Sequence, residues 1–224
     1  MFHFLYEIER GNKMIKGTEL FVKALKAEGV DSLFAYPGGQ AVDLFDALYD
    51  EHEIEMILPR HEQALIHAAD GYARSTGKVG VCLVTSGPGA TNLVTGIATA
   101  NYDSVPLVCF TGQVPLSLIG NDAFQEVDIV GMTRSVTKYG VTVRRREDLG
   151  RIIKMAFYIA STGKPGPVLI DIPKDVTAKK AEYEKENPGV YNREFTHIDE
   201  KEVAAAAEMI QASEKPFIFV GGGA

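Results

Sequence analysis

The stretch Ile54-Glu55-Met56-Ile57-Leu58-Pro59-Arg60-His61-Glu62-Gln63, which continues through residues 64–74, decides the fold. Residues 54–58 form a short apolar run that ends at Pro59, as expected of a strand. Residues 62–74 are rich in small side chains, which predicts a helix packed closely against its neighbours. A strand that passes through a short turn into a helix is the unit from which parallel sheets are built.

The same alternation of apolar strand and helix is repeated along the chain. Apolar runs predict strands over residues 32–36, 54–58, 79–85, 105–111, 140–143 and 167–172. Helical spacing predicts helices over residues 17–29, 41–49, 62–74, 90–100, 128–135 and 147–161. This order predicts an α/β fold with a mainly parallel sheet and helices on both of its faces.

Four loops should leave the carboxyl ends of these strands, where ligands bind in open parallel sheets. They cover residues 37–40, 59–62, 86–89 and 112–126. Three of them are rich in glycine or proline, and the fourth carries Glu62. The last loop is longer than most connections and is therefore a functional candidate by its length alone.

Glu62 has two interpretations. As a helix cap it would simply be favoured by the free N–H groups and the dipole of the first helical turn. If that turn is also shielded from water, a carboxyl there can share a proton with a ligand nitrogen near neutral pH. The clustering of the four loops at one edge favours the second interpretation.

Composition excludes several classes of protein. The net charge of −7 argues against a nucleic-acid partner, and no apolar run approaches the ~18 residues of a membrane span. Cys82 and Cys109 lie inside apolar runs, which predicts buried free thiols and a cytoplasmic location. We expect no metal site, because His61 and His67 have no partner at ligand spacing. Asp70, Arg74 and Asp103 are expected to be ion-pair or surface residues.

The character of the chain changes near residue 177. Residues 177–198 are polar and aperiodic, which predicts a linker. Residues 199–213 predict a helix with Ala204, Ala205, Met209 and Ile210 inside, and residues 216–220 predict a strand. We therefore divide the chain into an extension over 1–13, an α/β domain over 14–176, the linker, and the truncated start of a second α/β domain over 199–224.

Several segments together resemble the pyrimidine-binding domain of thiamine-diphosphate-dependent enzymes. They are Tyr-Pro-Gly-Gly at 36–39, Pro-Arg-His-Glu-Gln at 59–63, Ala-Ala-Asp-Gly-Tyr-Ala-Arg at 68–74 and Ser-Gly-Pro-Gly-Ala-Thr-Asn at 86–92. Residues 119–126, 128–134 and 163–175 resemble the large catalytic subunit of acetolactate synthase (acetohydroxyacid synthase). The resemblance covers about residues 14–224.

The resemblance implies an enzyme that decarboxylates pyruvate and joins the two-carbon fragment to a second 2-keto acid, pyruvate or 2-ketobutyrate, in branched-chain amino-acid biosynthesis. It implies thiamine diphosphate as cofactor, with Mg²⁺ held outside this chain because the Gly-Asp-Gly…Asn motif of the family is absent here. It further implies FAD, bound mostly by a middle domain outside this chain. A homodimer with the cofactor between subunits and a regulatory small subunit are the implied partners. The isolated chain is expected to be inactive.

The family's functional residues can be carried over position by position. Glu62 would hydrogen-bond the pyrimidine ring nitrogen, and Gln125 would join it as a catalytic residue. The remaining expected contacts are Pro37, Gly38 and Gly39 to the cofactor from the partner subunit, Pro88 and Asn92 in the pyrimidine pocket, Phe124 and Gln125 at the reacting groups, Lys174 at the substrate channel and Lys164 at the flavin.

Two alternatives stay open. Another member of the superfamily, such as a flavin-dependent 2-keto acid oxidase or a decarboxylase, would share the same domain, although Ala-Phe-Gln-Glu at 123–126 argues against it. The chain by itself could instead be a non-catalytic module that dimerises. Its small-residue helices over 64–73 and 90–100 would suit close packing against a second copy.

Overall fold

A computed structural model describes residues 14–178, 180–182 and 198–221. The chain divides into two units, which cover residues 1–186 and 187–224. The first unit contains the predicted sheet and all of the predicted site residues. No helix among the described residues is long and apolar enough to cross a membrane.

The sheet of the first unit has six strands, and every pairing in it is parallel. Its strands are β2 (Ser32–Ala35), β3 (Glu55–Ile57), β4 (Gly80–Val84), β5 (Leu107–Gln113), β6 (Tyr139–Thr142) and β7 (Pro167–Pro173). The spatial order is β3-β2-β4-β5-β7-β6. All six predicted strands are therefore confirmed, and their carboxyl ends lie at one edge.

Helices cover both faces of this sheet, as predicted. They are α1 (Gly17–Ala27), α2 (Val42–Tyr49), α3 (Glu62–Thr76), α4 (Pro88–Thr91), α5 (Val94–Asp103), α6 (Ile129–Thr133) and α7 (Leu149–Ser161). Side chains of α1 and α7 belong to one apolar core, where the Phe21 and Phe110 rings meet edge to face at 4.9 Å. Side chains of α3 and α5 form the second core on the opposite face, around Leu65, Ile66 and Ile97.

Helix α3 has well-defined ends. The His61 side chain caps its start by accepting a hydrogen bond from Gln63 N at 3.1 Å, and Gly77 ends it in a left-handed conformation with φ 73°. Arg74, in its last turn, pairs with both Asp70 and Asp103. The ion-pair interpretation of these three residues is thus confirmed.

The predicted helix over residues 90–100 is interrupted. Helix α4 ends at Thr91 and α5 begins at Val94, with a turn at residues 92–93. The interruption leaves the Asn92 side chain free to bond outside the helix. Its amide donates a hydrogen bond to the Glu62 carboxyl group at the start of α3.

The predicted linker begins too early. Residues 174–178 form helix α8 (Lys174–Ala178), and β8 (Lys180–Glu182) pairs antiparallel with β1 (Met14–Lys16). Each strand has only three residues, so the pairing leaves no apolar periodicity for sequence reasoning to detect. The rest of the predicted linker over 183–197 and the predicted extension over 1–13 lie outside the described residues.

The second unit is represented by helix α9 (Glu200–Ala212) and the segment after it. Asp199 caps the helix by accepting a hydrogen bond from Lys201 N at 2.9 Å. The prediction of an inner face is wrong for this structure, because Ala204, Ala205, Met209 and Ile210 are exposed. Residues 216–220 form no strand. Burial and strand pairing both need partner elements, and the described part of this unit supplies none.

Candidate functional site

The turn at residues 37–40 packs directly on the end of the central strand β4. Gln40 N donates a hydrogen bond to Thr85 Oγ1 at 3.2 Å. A Cβ atom added to Gly38 would lie 2.4 Å from Thr85 Cγ2, so a side chain at this position would collide with the strand end. Lys174 Nζ, which follows β7, donates to the Gly39 carbonyl oxygen at 3.1 Å. The carboxyl ends of β2, β4 and β7 therefore meet at this turn.

Glu62 is the first residue of α3 and is half-buried. Asn92 Nδ2 donates to its Oε2 at 2.9 Å. No hydrogen bond reaches Oε1 from the residues that the structure describes, and a Cβ atom on Gly89 would lie 3.5 Å from it. The carboxyl group thus has one oxygen fixed by an amide and one available to a ligand, at the positive end of a helix.

Thr85 joins the turn and Glu62 into one site. A Cβ atom on Gly89 would lie 2.9 Å from Thr85 Cγ2, the same methyl group that meets Gly38. These contacts form a continuous row within one chain. Gly38 and Gly89 both lie against Thr85, and Gly89 also lies beside Glu62. The expectation that residues 37–39 reach the cofactor from a partner subunit stays a prediction.

The long loop between β5 and α6, residues 114–128, closes over the Gly87 turn. A Cβ atom on Gly87 would lie 2.7 Å from the Gln125 carbonyl oxygen, and Gly87 has φ 57°. Gln125 itself is in the left-handed region with φ 58° and is exposed. Phe124 is 84% exposed. The structure thus brings Gln125 to the edge that carries Glu62, while Phe124 points to solvent.

Glu126 stabilises the same loop through hydrogen bonds to its backbone. Its carboxylate accepts hydrogen bonds from the backbone N–H of Gly120 and, at 3.0 Å, from that of Ala123. These two backbone donors hold the pKa of Glu126 below its ordinary value. The loop is therefore a defined structure that can present side chains in fixed positions.

The two lysines singled out from the sequence lie at opposite edges of the sheet. Lys174 follows β7 and lies at the carboxyl edge. Lys164 precedes β7, and its Nζ donates to the Asn101 carbonyl oxygen at 3.3 Å. Lys164 therefore lies at the amino edge, away from the turns that carry Glu62, because the residues before and after a strand lie at its two ends. Any flavin contact through Lys164 would be made away from Glu62.

Sequence reasoning missed two buried oxygen atoms at the Glu62 edge. Ser86 Oγ and Gln40 Oε1 have no hydrogen-bond partner among the described residues. Ser86 is only 1% exposed. Buried polar atoms are normally paired, so unpaired ones in a native structure call for an explanation such as a ligand. A hydroxyl residue directly after an apolar strand was the signal that could have identified Ser86.

A buried carboxyl group, Asp171, was also missed. It is 2% exposed and accepts hydrogen bonds from Thr111 Oγ1 at 2.7 Å, Gln113 Nε2 at 3.1 Å and Thr142 Oγ1 at 3.2 Å. Burial raises the pKa of Asp171 to about 6 although these donors favour the charged form. Polar residues at alternate positions of apolar strands were the available signal.

The predicted free thiols are confirmed. Cys82 and Cys109 are buried and unbridged, and they are register neighbours on β4 and β5. Burial holds the pKa of the Cys82 thiol well above its ordinary value, so this thiol is unreactive. Within residues 14–178, 180–182 and 198–221, no group of three or more His, Cys, Asp or Glu side chains could hold a metal ion.

Comparison with known proteins identifies the family of this chain. Residues 15–132 match the family model described as "Thiamine pyrophosphate enzyme, N-terminal TPP binding domain". The chain is 50% identical over 216 residues to the acetolactate synthase large subunit of Haemophilus influenzae, covering 95% of this chain and 38% of that protein. The Escherichia coli isozyme 3 large subunit is 48% identical over 217 residues, covering 95% of this chain and 38% of that protein.

A plant acetolactate synthase is similar to this chain to the same degree. The chloroplastic acetolactate synthase of Arabidopsis thaliana is 49% identical over 212 residues, covering 93% of this chain and 32% of that protein. The chain thus spans between 32% and 38% of the length of these curated relatives. The matched residues include Glu62, Asn92 and both glycine turns of the carboxyl edge. The chain belongs to the thiamine pyrophosphate enzymes, and it carries their N-terminal cofactor-binding domain.

Proposed function

We propose that this chain forms the N-terminal part of an acetolactate synthase large subunit. The whole protein would decarboxylate pyruvate and join the two-carbon fragment to a second 2-keto acid, giving acetolactate from pyruvate or acetohydroxybutyrate from 2-ketobutyrate. Three relatives of that name, each about half identical to this chain, support the proposal. The observation that carries it is the half-buried Glu62 carboxyl with one oxygen bonded to Asn92 and the other open.

The residues at this edge fit the pyrimidine ring of thiamine diphosphate. Such a ring offers nitrogen acceptors and an amino donor, which need a carboxyl partner and oxygen acceptors. Glu62 Oε1 supplies the first, and the unpaired Ser86 Oγ and Gln40 Oε1 lie among the turns of the same edge. Gly89 lacks a side chain beside Oε1, which leaves room for a planar ring.

When bound, thiamine diphosphate supplies the nucleophilic thiazolium carbon that adds to the 2-keto acid and makes loss of carbon dioxide possible. In this account Glu62 Oε1 holds or shares a proton with the pyrimidine ring nitrogen, a transfer typically worth ~10²–10⁴-fold in rate. Asn92 fixes Oε2, so that Oε1 keeps its direction. The helix N-terminus favours the carboxylate after the proton has left.

Other residues of the edge would handle the substrates. Gln125 and Phe124, on the loop that covers Gly87, would contact the reacting groups. Lys174, bonded to the Gly39 carbonyl oxygen, would lie at the substrate channel and attract a 2-keto acid carboxylate. The turns of the same edge would contact the cofactor through Pro37, Gly38, Gly39 and Pro88, with residues 37–39 contributed by the partner subunit.

The remaining cofactors and partners are proposed from the family alone. Mg²⁺ would be held by a part of the protein outside this chain, together with the diphosphate. FAD would bind mostly outside it, with Lys164 contributing from the amino edge of the sheet. We also propose a regulatory small subunit as a partner and a cytoplasmic location.

We further propose a homodimer with the cofactor between subunits. Ala64, His67 and Gly71 are exposed on α3 and offer a face of small and polar side chains to a second copy. Static light scattering of this chain at concentrations on the order of tens of micromolar should show a dimer, since weak specific interfaces are populated in that range. A purely monomeric sample would contradict the dimer.

A product assay on the full-length protein tests the enzymatic proposal. With pyruvate, thiamine diphosphate, Mg²⁺ and FAD, the product should be acetolactate. Formation of acetyl phosphate, acetate or free aldehyde would instead identify a 2-keto acid oxidase or a decarboxylase. The Glu62→Gln protein is the matched control, because it keeps the size of the side chain and should lose most of the activity.

A further inference from the structure

Asp171 stands at the centre of a row of polar side chains that crosses three strands. Thr111 on β5 and Thr142 on β6 are its register neighbours on either side. Both hydroxyl groups donate to its carboxyl oxygens, at 2.7 and 3.2 Å. A buried carboxyl would be costly in an apolar sheet, so its retention among three donors points to a role other than packing.

The third donor, Gln113, connects Asp171 to the loop over residues 114–128. Gln113 Nε2 donates both to Asp171 Oδ2 at 3.1 Å and to the Val127 carbonyl oxygen at 3.0 Å. Gln113 Oε1 accepts a hydrogen bond from Val114 N at 2.9 Å. The Gln113 amide therefore bonds to both ends of the loop, at Val114 and at Val127. Asp171 in turn accepts a hydrogen bond from the same amide.

A second carboxyl from the same strand end supports the loop. Asp175, in α8, accepts a hydrogen bond from Leu116 N at 3.1 Å through its Oδ1. Near its carboxyl end the loop contacts Gly87 through the Gln125 backbone. Asp171 and Asp175 thus hold the base of the loop, and Gln125 is the loop residue that meets the candidate site.

We propose that Asp171 is a positioning residue that acts through Gln113. It orients the Gln113 amide, which ties together both ends of the loop and so sets where Gln125 meets the Gly87 turn. Removing the amide would leave Val114 N and the Val127 carbonyl oxygen without this partner and free the base of the loop. The part of this inference that concerns substrates depends on the proposed function, whereas the part that concerns the loop does not.

The first test follows the loop itself in this chain by amide hydrogen exchange. Gln113→Met keeps the length of the side chain but removes its polar atoms. We expect loop amides over 114–128 to exchange at least about ten times faster in Gln113→Met than in the wild type. Thr142→Val is the matched control, because it removes one hydrogen bond to Asp171 without touching Gln113, and its loop should exchange as in the wild type. Equal loop protection in the wild type and Gln113→Met would overturn the proposal.

The second test measures catalysis by the full-length protein. A displaced loop should lower kcat/KM for pyruvate about 10- to 100-fold in Gln113→Met, since misplacement by about 1 Å can have effects of that size. Thr142→Val should stay within about twofold. Asp171→Asn should also stay near the wild type, because its amide oxygen can still accept from Gln113, whereas Asp171→Val should behave like Gln113→Met. If activity instead follows thermal stability across all four variants, the role is only structural and the proposal fails.

The two tests separate the possible failures. A wild-type protein that makes no acetolactate contradicts the proposed function, and the hydrogen-exchange result then still decides whether Asp171 and Gln113 hold the loop. A wild-type protein that makes acetolactate while Gln113→Met retains full kcat/KM supports the proposed function and contradicts the positioning role.

Discussion

Replacing Asp171 by Asn should change how stability depends on pH. Burial raises the pKa of this carboxyl to about 6, against an ordinary value of 3.8. The folded state therefore holds a proton at Asp171 over a pH range in which the unfolded state has lost it. By linkage, the stability that this proton contributes is fully present below about pH 4 and is lost as the pH rises through about 6.

The size of the effect follows from the same two values. Each unit of pKa difference corresponds to ~1.4 kcal/mol, so the full effect is about 3 kcal/mol. Asp128 is the nearby charged group that adds to the upward direction. In Asp171→Asn the side chain does not titrate, so this part of the pH dependence should vanish.

Urea unfolding of this chain at several pH values between about 4 and 7 measures the effect. The free energy of unfolding of Asp171→Asn, relative to the wild type, should rise by about 2.5 kcal/mol from the acid to the neutral end of this range, slightly less than the full effect because the unfolded state is itself partly protonated at the acid end. Asp122→Asn, which removes a carboxylate from an exposed loop position, controls for the loss of charge. A difference between wild type and Asp171→Asn that stays constant with pH would refute the burial of this carboxyl as the cause.

Three further changes have outcomes that the structure specifies. Asn92→Ala frees Glu62 Oε2, so kcat/KM of the full-length enzyme should fall about 10- to 100-fold, the equivalent of ~1.5–3 kcal/mol for a hydrogen bond to a charged group. Gly38→Ala would drive a methyl group into Thr85, and its free energy of unfolding should drop by about 1–3 kcal/mol in urea titrations. Arg74→Met removes one ion pair to the half-exposed Asp103 and one to Asp70, whose side chain is only 10% exposed. The free energy of unfolding should fall by about 1–3 kcal/mol in urea titrations, because the buried Asp70 carboxyl loses its charged partner; an unchanged value would contradict this role of the pair.

The architecture of the first unit was predictable because its elements repeat one simple pattern. Apolar strands followed by helices, such as residues 54–74, can only be arranged as a parallel sheet with both faces covered. Parallel strands then place all of their carboxyl ends at one edge. That rule alone brought Glu62, the turn at 37–40 and the Gly87 turn together, as the structure confirms.

Three features of the structure were not predicted for one physical reason: the local sequence does not show where an element lies relative to the rest of the fold. Lys164 precedes β7 and so lies at the amino edge, which its resemblance to a flavin contact of the family does not reveal. The predicted linker contains strand β8, because a strand of only three residues, Lys-Ala-Glu, is too short to show a periodicity. The predicted inner face of α9 needs a partner surface, and periodicity by itself does not supply one.

The buried polar groups were missed for a different reason. Thr111, Gln113 and Asp171 lie inside runs that are otherwise apolar, and such runs simply indicate a strand. Their meaning depends on register, because only the alignment of β5, β6 and β7 places three donors around one carboxyl. Register between distant strands is a property of the folded chain, so the sequence could mark these residues as polar positions in strands, but only the structure shows that they meet at one carboxyl group.

We propose that Glu62 serves the cofactor as a proton-sharing group and is not merely a helix cap. Exchange of the thiazolium C2 proton of thiamine diphosphate for deuterium, measured on the full-length protein by quenching in acid and proton NMR, tests it most directly. In Glu62→Gln the exchange rate should fall ~10²–10⁴-fold, while stability changes by only about 0.3–1 kcal/mol, the usual size of a helix-dipole interaction. Exchange at the wild-type rate in a folded, cofactor-loaded Glu62→Gln protein would contradict the claim.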